Sequence, residues 1–423
     1  MNIASGDIMA SDEIRIKEIF QKVKWLDDNR WSQNDETPMN FSSDDLKNSE
    51  KVLTHFLCYI CDRGMPYSQI WQKGAFVFSE IIHAYTFKKD IRNLLDPNDS
   101  NSFFDGKKNK FISKTKVTKN NILVRNSDNK ENERVEFISR YYPADFKSIM
   151  QTLTVLEKFD RNIIKFISYI LDTKLNDKLL IKRIAYAFYL LAYYNIGKQA
   201  KINLKDYNSL FNEVQTSAQD VCELLSSNEK FEAGFKDFIK SYRIFEQKRV
   251  WCALREYQKS KEHHSYIIGG FEEINRDDLI PVWDLLDKKE LELPGDVWNN
   301  NKKFRDCLFG DLDCVKTKSE LSLESSGFNS SYFMRKLCDN FKEDNDNAYP
   351  EMFDVTFDFI PRMCEQEMCD FCIFNEDNKI EDLCTRDPSK YCPVLLISCC
   401  YINKCNPEKC VVLANSDSVS KML

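Results

Sequence analysis

Four cysteines near the C-terminus have the residue type and the spacing of a metal site. Cys364, Cys369, Cys372 and Cys384 lie within twenty-one residues, and two of them form a C-x2-C step. Thiolates are preferred ligands of zinc and of iron–sulfur clusters, and four sulfur atoms complete either a tetrahedral zinc ion or a [4Fe–4S] cluster. The spacing therefore predicts one sulfur-ligated metal centre and leaves open which metal it holds.

Further cysteines follow this group and leave its fourth ligand open. Cys392 precedes a proline and could replace Cys384, because a Cys-Pro step often closes an iron–sulfur run. A second site could be built from the last four cysteines, although two adjacent cysteines rarely bind one metal together. These four are Cys399, Cys400, Cys405 and Cys410.

Composition limits the classes of protein to consider. The 423 residues include only 11 Gly and 11 Pro, which favours helices over turn-rich β structure. No apolar N-terminal leader and no run of eighteen apolar residues occurs, so we expect a cytoplasmic protein that does not span a membrane. In that compartment the 16 cysteines favour metal binding over disulfides. The net charge of −7 means that any binding of nucleic acid must use a local basic surface.

Apolar residues recur at helical spacing over most of the first half of the chain. Residues 48–87 predict two packed helices joined by a turn at 63–66, with Cys58 and Cys61 as core residues of the first. Further helices are predicted at 146–159, 163–175, 179–194 and 206–225. We therefore predict a mostly α protein, a two-lobed helical bundle with a C-terminal cysteine-rich metal-binding loop module, and no α/β sheet.

A basic segment interrupts these helices between residues 106 and 130. It carries eight Lys or Arg residues, Lys107, Lys108 and Lys110 among them, against the single acid Asp128. Weak helical periodicity predicts a flexible loop or a short hairpin. The segment is either a solvated surface loop or an arm that contacts phosphates, since clustered cations release counterions on binding a nucleic acid.

A lysine and an aspartate mark the starts of two later helices. Residues 238–257 predict a short helix, a turn, and a second helix with Lys248 in its first turn. Asp296 follows Pro294 and Gly295, where a carboxylate would accept helix N–H bonds. The two side chains could face one cleft, or they could be a surface lysine and a helix cap.

The order of these parts resembles the helix-hairpin-helix DNA glycosylase superfamily. The run 248–255 is similar to the helix that bears the catalytic lysine in archaeal 8-oxoguanine glycosylases. The segment from Pro294 to Arg305 resembles the one that carries the superfamily's catalytic aspartate, and residues 350–384 resemble the iron–sulfur loop of endonuclease III and MutY-type adenine glycosylases. The chain differs in having no glycine in the hairpin at 242–247.

The resemblance implies a DNA-base glycosylase, with or without AP-lyase activity, that contains a [4Fe–4S] cluster or, alternatively, zinc. Lys248 would attack C1′ of a flipped nucleotide, Asp296 would stabilise the positive charge on the sugar, and Arg305 and Arg362 would approach DNA. A tryptophan such as Trp251, Trp283 or Trp298 could stack on the base, or these residues could belong to the core. The implied regions are a helical domain at 1–230, a catalytic region at 231–345 and a metal module at 346–423. The alternative is a non-catalytic helical protein whose metal-stapled tail binds nucleic acid or protein.

Overall fold

A nearly all-apolar helix lies inside the helical part of the chain. In the computed structural model this helix, α7 (Leu180–Tyr193), has every residue from 181 to 193 buried except Lys182 and Tyr189. It packs against the helices Tyr142–Leu156, Ile163–Lys174, Tyr207–Ser226 and Asn228–Lys240. A helix that is apolar on all sides requires neighbours on all sides, so the prediction of a central core helix is confirmed.

The structure describes part of the chain in two compact units. The described residues are 14–24, 46, 48–62, 68–117, 133–140, 142–174, 179–196, 206–240, 248–255, 257, 291, 338 and 353. One unit comprises Met1–Asn40 with Lys288–Leu423, and the other comprises Phe41–Asp287. Helix accounts for 75% of what is described, so the prediction of a mostly α protein is confirmed for these residues.

Most helices of the unit Phe41–Asp287 match the predicted segments, whereas the helix Ile91–Leu95 and most of the helix Asn228–Lys240 were not predicted. Asn48 caps the first of them by accepting the backbone N–H groups of Glu50 and Lys51. A π-helical segment, Ser68–Gly74, leads into the second. The helices are α2 (Ser49–Cys61), α3 (Ala75–Thr86), α4 (Ile91–Leu95), α5 (Tyr142–Leu156), α6 (Ile163–Lys174), α7 (Leu180–Tyr193), α8 (Tyr207–Ser226), α9 (Asn228–Lys240) and α10 (248–255).

Cys58 and Cys61 lie on the buried side of α2, and both are fully buried. The Cys58 thiol approaches the carbonyl of Ile70 at 3.8 Å, and burial raises its pKa. A protonated thiol in an apolar setting is a poor nucleophile. The prediction that this C-x2-C pair serves core packing is confirmed.

A three-stranded antiparallel sheet, which the sequence did not predict, lies between α4 and α5. Its order is β1-β2-β3, with β1 at Phe104–Asp105, β2 at Lys110–Lys116 and β3 at Arg134–Phe137. The inner face buries Phe111 against Phe137, with ring centroids 6.1 Å apart. The segment 106–130, predicted as a flexible loop or a short hairpin, holds the turn after β1 and the strand β2, which pairs with β1 on one side and with β3 on the other. Residues 118–132 lie outside the described part.

The predicted boundary at residue 230 falls within α9. This helix packs on α7 and α8 in the unit Phe41–Asp287, with Tyr186 and Phe231 rings 5.0 Å apart. α10 belongs to the same unit.

The other unit is described through one helix, α1 (14–24), and three single residues. Ile16, Phe20 and Val23 are buried on one side of α1, at the spacing of an amphipathic helix. The Phe20 and Phe353 rings meet edge to face at 5.5 Å.

None of the helices in the described ranges combines the length and the apolar character needed to cross a membrane.

Candidate functional site

The described part of helix α10 contains the predicted nucleophile. Val250, Trp251 and Leu254 are buried, whereas Lys248, the first residue of the helix that the structure describes, is half-buried. Trp251 is 5% exposed, so it is a core residue of this helix rather than an open surface on which a base could stack. The buried stripe fixes the helix on the bundle and leaves Lys248 at its edge.

The side chain next to Lys248 is held deep in the core. Arg249 is 2% exposed and donates a hydrogen bond to the Ile60 carbonyl at the end of α2. Its Nη1 also lies 3.4 Å from the Tyr193 hydroxyl and 3.9 Å from Oδ1 of Asp145. Burial alone lowers the pKa of the guanidinium, but Tyr193 and Asp145 raise it above its usual value, so Arg249 stays charged.

The partner carboxylate is itself part of α5. Asp145 lies in the first turn of that helix, is fully buried, and accepts a hydrogen bond from the Ser139 hydroxyl. A charged pair in the core is tolerated only when its members are paired and hydrogen-bonded. Together with the Tyr257 hydroxyl, which donates to the Val52 carbonyl at 3.2 Å, these contacts tie the α10 segment to α2, α5 and α7.

This arrangement can hold an amine at a fixed place. The backbone of Lys248 adjoins the anchored Arg249, and the Lys248 side chain is half-buried. Sequence reasoning identified Lys248 but missed Arg249 and Asp145, because their pairing joins positions far apart in the chain. The local signal for this pair was that Arg249 and Asp145 are charged residues at positions that helical periodicity predicts to be buried.

The other predicted catalytic and metal-binding residues, and the two arginines predicted to bind nucleic acid, lie outside the described residues. They are Asp296, Arg305, Arg362, Cys364, Cys369, Cys372 and Cys384. The cleft shared by Lys248 and Asp296 and the metal centre thus remain predictions. In the ranges that the structure describes, no three His, Cys, Asp or Glu side chains converge to hold a metal ion.

The three lysines predicted to bind nucleic acid differ in their surroundings. Lys107 and Lys108 are exposed in the turn between β1 and β2, where Asp105 Oδ1 accepts their backbone N–H groups at 2.9 and 3.1 Å. Lys110 is buried, and its ammonium is paired with Glu136 on β3. Lys107 and Lys108 are therefore the better placed of the three to meet a phosphate.

A buried histidine is a second feature that the sequence did not reveal. His55 on α2 is 5% exposed and lies among the rings of Tyr59, Trp71 and Tyr257, at centroid distances of 5.1, 5.6 and 5.2 Å. Burial lowers its pKa well below the usual value, so the imidazole is neutral. Its role in this aromatic cluster is packing.

Comparison of the chain with protein-family models, with curated proteins and with solved structures gives no match.

Proposed function

We propose that the chain is a DNA-base glycosylase in which the Lys248 amine is the nucleophile. The observation that supports this most directly is that Lys248 is a half-buried residue of α10 and lies next to the anchored Arg249. A nucleophile must be both held in place and open to its substrate. The resemblance of 248–255 to the lysine-bearing helix of the superfamily assigns the reaction.

In the proposed reaction a flipped nucleotide enters the site and the neutral amine of Lys248 attacks C1′. The glycosidic C1′–N bond breaks, its electron pair leaves with the base, and the base takes up a proton. The new C1′–N bond becomes a Schiff base when the sugar ring opens. Asp296 stabilises the positive charge that develops on the sugar, and Arg305 and Arg362 contact DNA.

The proposal also includes one metal centre held by Cys364, Cys369, Cys372 and Cys384. Its ligand set is four thiolates, which suits a [4Fe–4S] cluster or zinc. The metal would fix the fold of the tail and present basic groups to DNA, and it takes no part in the bond-breaking step. Broad visible absorption of the purified protein would indicate the cluster, whereas a colourless protein with one zinc per chain would indicate zinc.

Borohydride trapping tests the chemistry. The protein is incubated with oligonucleotides that carry assorted base lesions, and reduction should fix a covalent adduct that is lost in Lys248→Gln. Lys182→Gln is the matched control, because Lys182 is also half-buried in the first turn of a helix, α7; it should keep the adduct. No adduct and no released base on any lesion would overturn the proposal.

A non-catalytic nucleic-acid-binding protein is the second candidate. It is favoured by the exposed Lys107 and Lys108, which need no catalytic partner to bind phosphate. Binding of oligonucleotides with no base release would support it.

A further inference from the structure

Two cations face each other across strands β2 and β3. Lys116 and Arg134 are paired in register, and both side chains are exposed. Like charges directly opposite each other destabilise a sheet. The repulsion between Lys116 and Arg134 therefore lowers the stability of the sheet at this point. A bound anion would cancel that repulsion.

Nearby acidic side chains are engaged elsewhere. Glu136 pairs with Lys110, and the Glu80 carboxylate of α3 accepts two backbone N–H groups of β2. Glu133 precedes Arg134 by one residue, and successive side chains of an extended chain point to opposite sides. In the part of the chain that the structure describes, neither Lys116 nor Arg134 forms an ion pair with any of these carboxylates.

A third cation extends the pair towards β1. The Lys114 ammonium donates to the Ser102 carbonyl and lies 5.3 Å from the centroid of the Phe103 ring. Burial of this ammonium lowers its pKa, and the cations of Arg134 and Lys89 lower it further, whereas two nearby carboxylates oppose the shift. Positive charges of the central strand β2, of β3 and of the α3–α4 connection thus lie near one another.

A bulge in β2 gives these side chains their direction. Ile112 pairs with Glu136 and Lys116 with Arg134, so β2 advances four residues while β3 advances two. Two backbone N–H groups in the bulge are hydrogen-bonded to a side chain. Those of Lys114 and Thr115 donate to the Glu80 carboxylate at 2.6 and 3.1 Å. Bulges commonly re-aim side chains near functional sites.

We propose that this basic sheet face, defined by Lys114, Lys116 and Arg134, binds the phosphodiester backbone of a nucleic acid. Because the chain carries a net charge of −7, it repels a polyanion as a whole, and binding must use a local cluster of cations such as this one. Lys107 and Lys108 lie beyond the opposite end of β2, whose 7 residues span about 20 Å. A backbone lying along β2 would therefore meet several phosphates, whether or not Lys248 performs any chemistry.

Fluorescence anisotropy with a labelled oligonucleotide, single-stranded and duplex, tests the proposal over a series of salt concentrations. Each lost phosphate contact lowers the slope of log K against log salt by about 0.7 to 0.9. The double variant Lys116→Gln/Arg134→Gln should therefore lower the slope by about 1.4 to 1.8. Lys165→Gln on α6 removes an exposed lysine that pairs with Asp160, and it should leave the slope unchanged.

A stability measurement separates binding from a structural role. Lys116→Glu places an opposite charge across from Arg134, so it should raise the melting temperature while weakening oligonucleotide binding. If Lys116→Glu lowered both the melting temperature and oligonucleotide binding, these cations would have a structural role, and the proposal would be overturned. An unchanged slope in the double variant would overturn it too, as would binding to phosphatidylserine vesicles without binding to either oligonucleotide.

Discussion

The buried guanidinium of Arg249 gives the sharpest test of how α10 is held. Arg249→Met removes the charge, keeps much of the side-chain length, and leaves the fully buried Asp145 carboxylate without its cation. At the separation of 3.9 Å and an effective dielectric constant of about 20, the attraction is about 4 kcal/mol. Removing one partner of a buried pair costs about 3 to 5 kcal/mol. We expect the free energy of unfolding to fall by that amount.

Removing both charges should cost much less than the two single changes together. Asp145→Asn keeps the side-chain volume and a hydrogen-bonding oxygen for Ser139 but removes the charge. In the double variant Arg249→Met/Asp145→Asn no charge is left alone in the core, so we expect it to be more stable than the sum of the single variants predicts, by about 2 kcal/mol or more.

Two measurements on the full chain check this. Urea denaturation followed by far-UV circular dichroism gives the free energies of the four proteins. Hydrogen exchange with mass spectrometry should show that Arg249→Met lowers amide protection at 248–255. The reasoning is refuted if Arg249→Met costs less than about 1 kcal/mol, or if the double variant is as unstable as the two single costs added together.

Three other predictions follow from single sites. Gly234→Ala should destabilise the chain by about 1 to 3 kcal/mol, because the added Cβ would overlap the Tyr186 hydroxyl and lie 3.0 Å from its Cζ; thermal melting measures this. The free energy of unfolding should fall as the pH drops below about 6.5, because His55 binds a proton in the unfolded chain but stays neutral in the folded one, where burial lowers its pKa. Urea titrations at several pH values should show a shallower fall in His55→Phe than in the unchanged chain. Replacing Cys369 and Cys372 by serine should remove the bound metal, as measured by elemental analysis.

Each of these has a matched control. Tyr186→Phe should restore most of the stability lost in Gly234→Ala, because it deletes the overlapping oxygen. If the losses of stability caused by Gly234→Ala and Tyr186→Phe simply added up in the double variant, the steric explanation would be wrong. For the metal, Cys222→Ser changes a half-buried thiol of α8 and should leave the metal content unchanged. A chain purified without metal before any substitution would contradict the prediction of a metal centre.

The helices were predictable because their apolar periodicity is continuous. The prediction at 163–175 matches α6 (Ile163–Lys174), and the prediction from 206 begins at the cap of α8. Asp206 accepts the backbone N–H of Ser209 at 3.0 Å, which is the contact expected of a helix-capping carboxylate. In these segments local spacing and tertiary packing agree.

The sheet was not predictable from the same kind of pattern. In β2 the inward Phe111 is followed by the bulge at 113–115, which breaks the alternation of a strand after two residues. The pairing strand β3 begins at Arg134, 18 positions after β2 ends, so the two strands are not adjacent in the sequence as the strands of a tight hairpin are. Of the lysines that made the segment resemble a loop, Lys107, Lys108 and Lys116 are exposed, whereas Lys110 is buried.

The burial of Arg249 also determines where Lys248 lies. Neighbouring residues of an α-helix are rotated by about 100° around its axis. With the Arg249 side chain directed into the core, Lys248 falls at the edge of the buried stripe and is half-buried. A lysine rotated fully inwards would be closed to DNA, and one rotated fully outwards would have nothing to fix it. The core charge that costs the fold a desolvation penalty therefore also sets the half-buried position of Lys248, for which we propose the role of nucleophile.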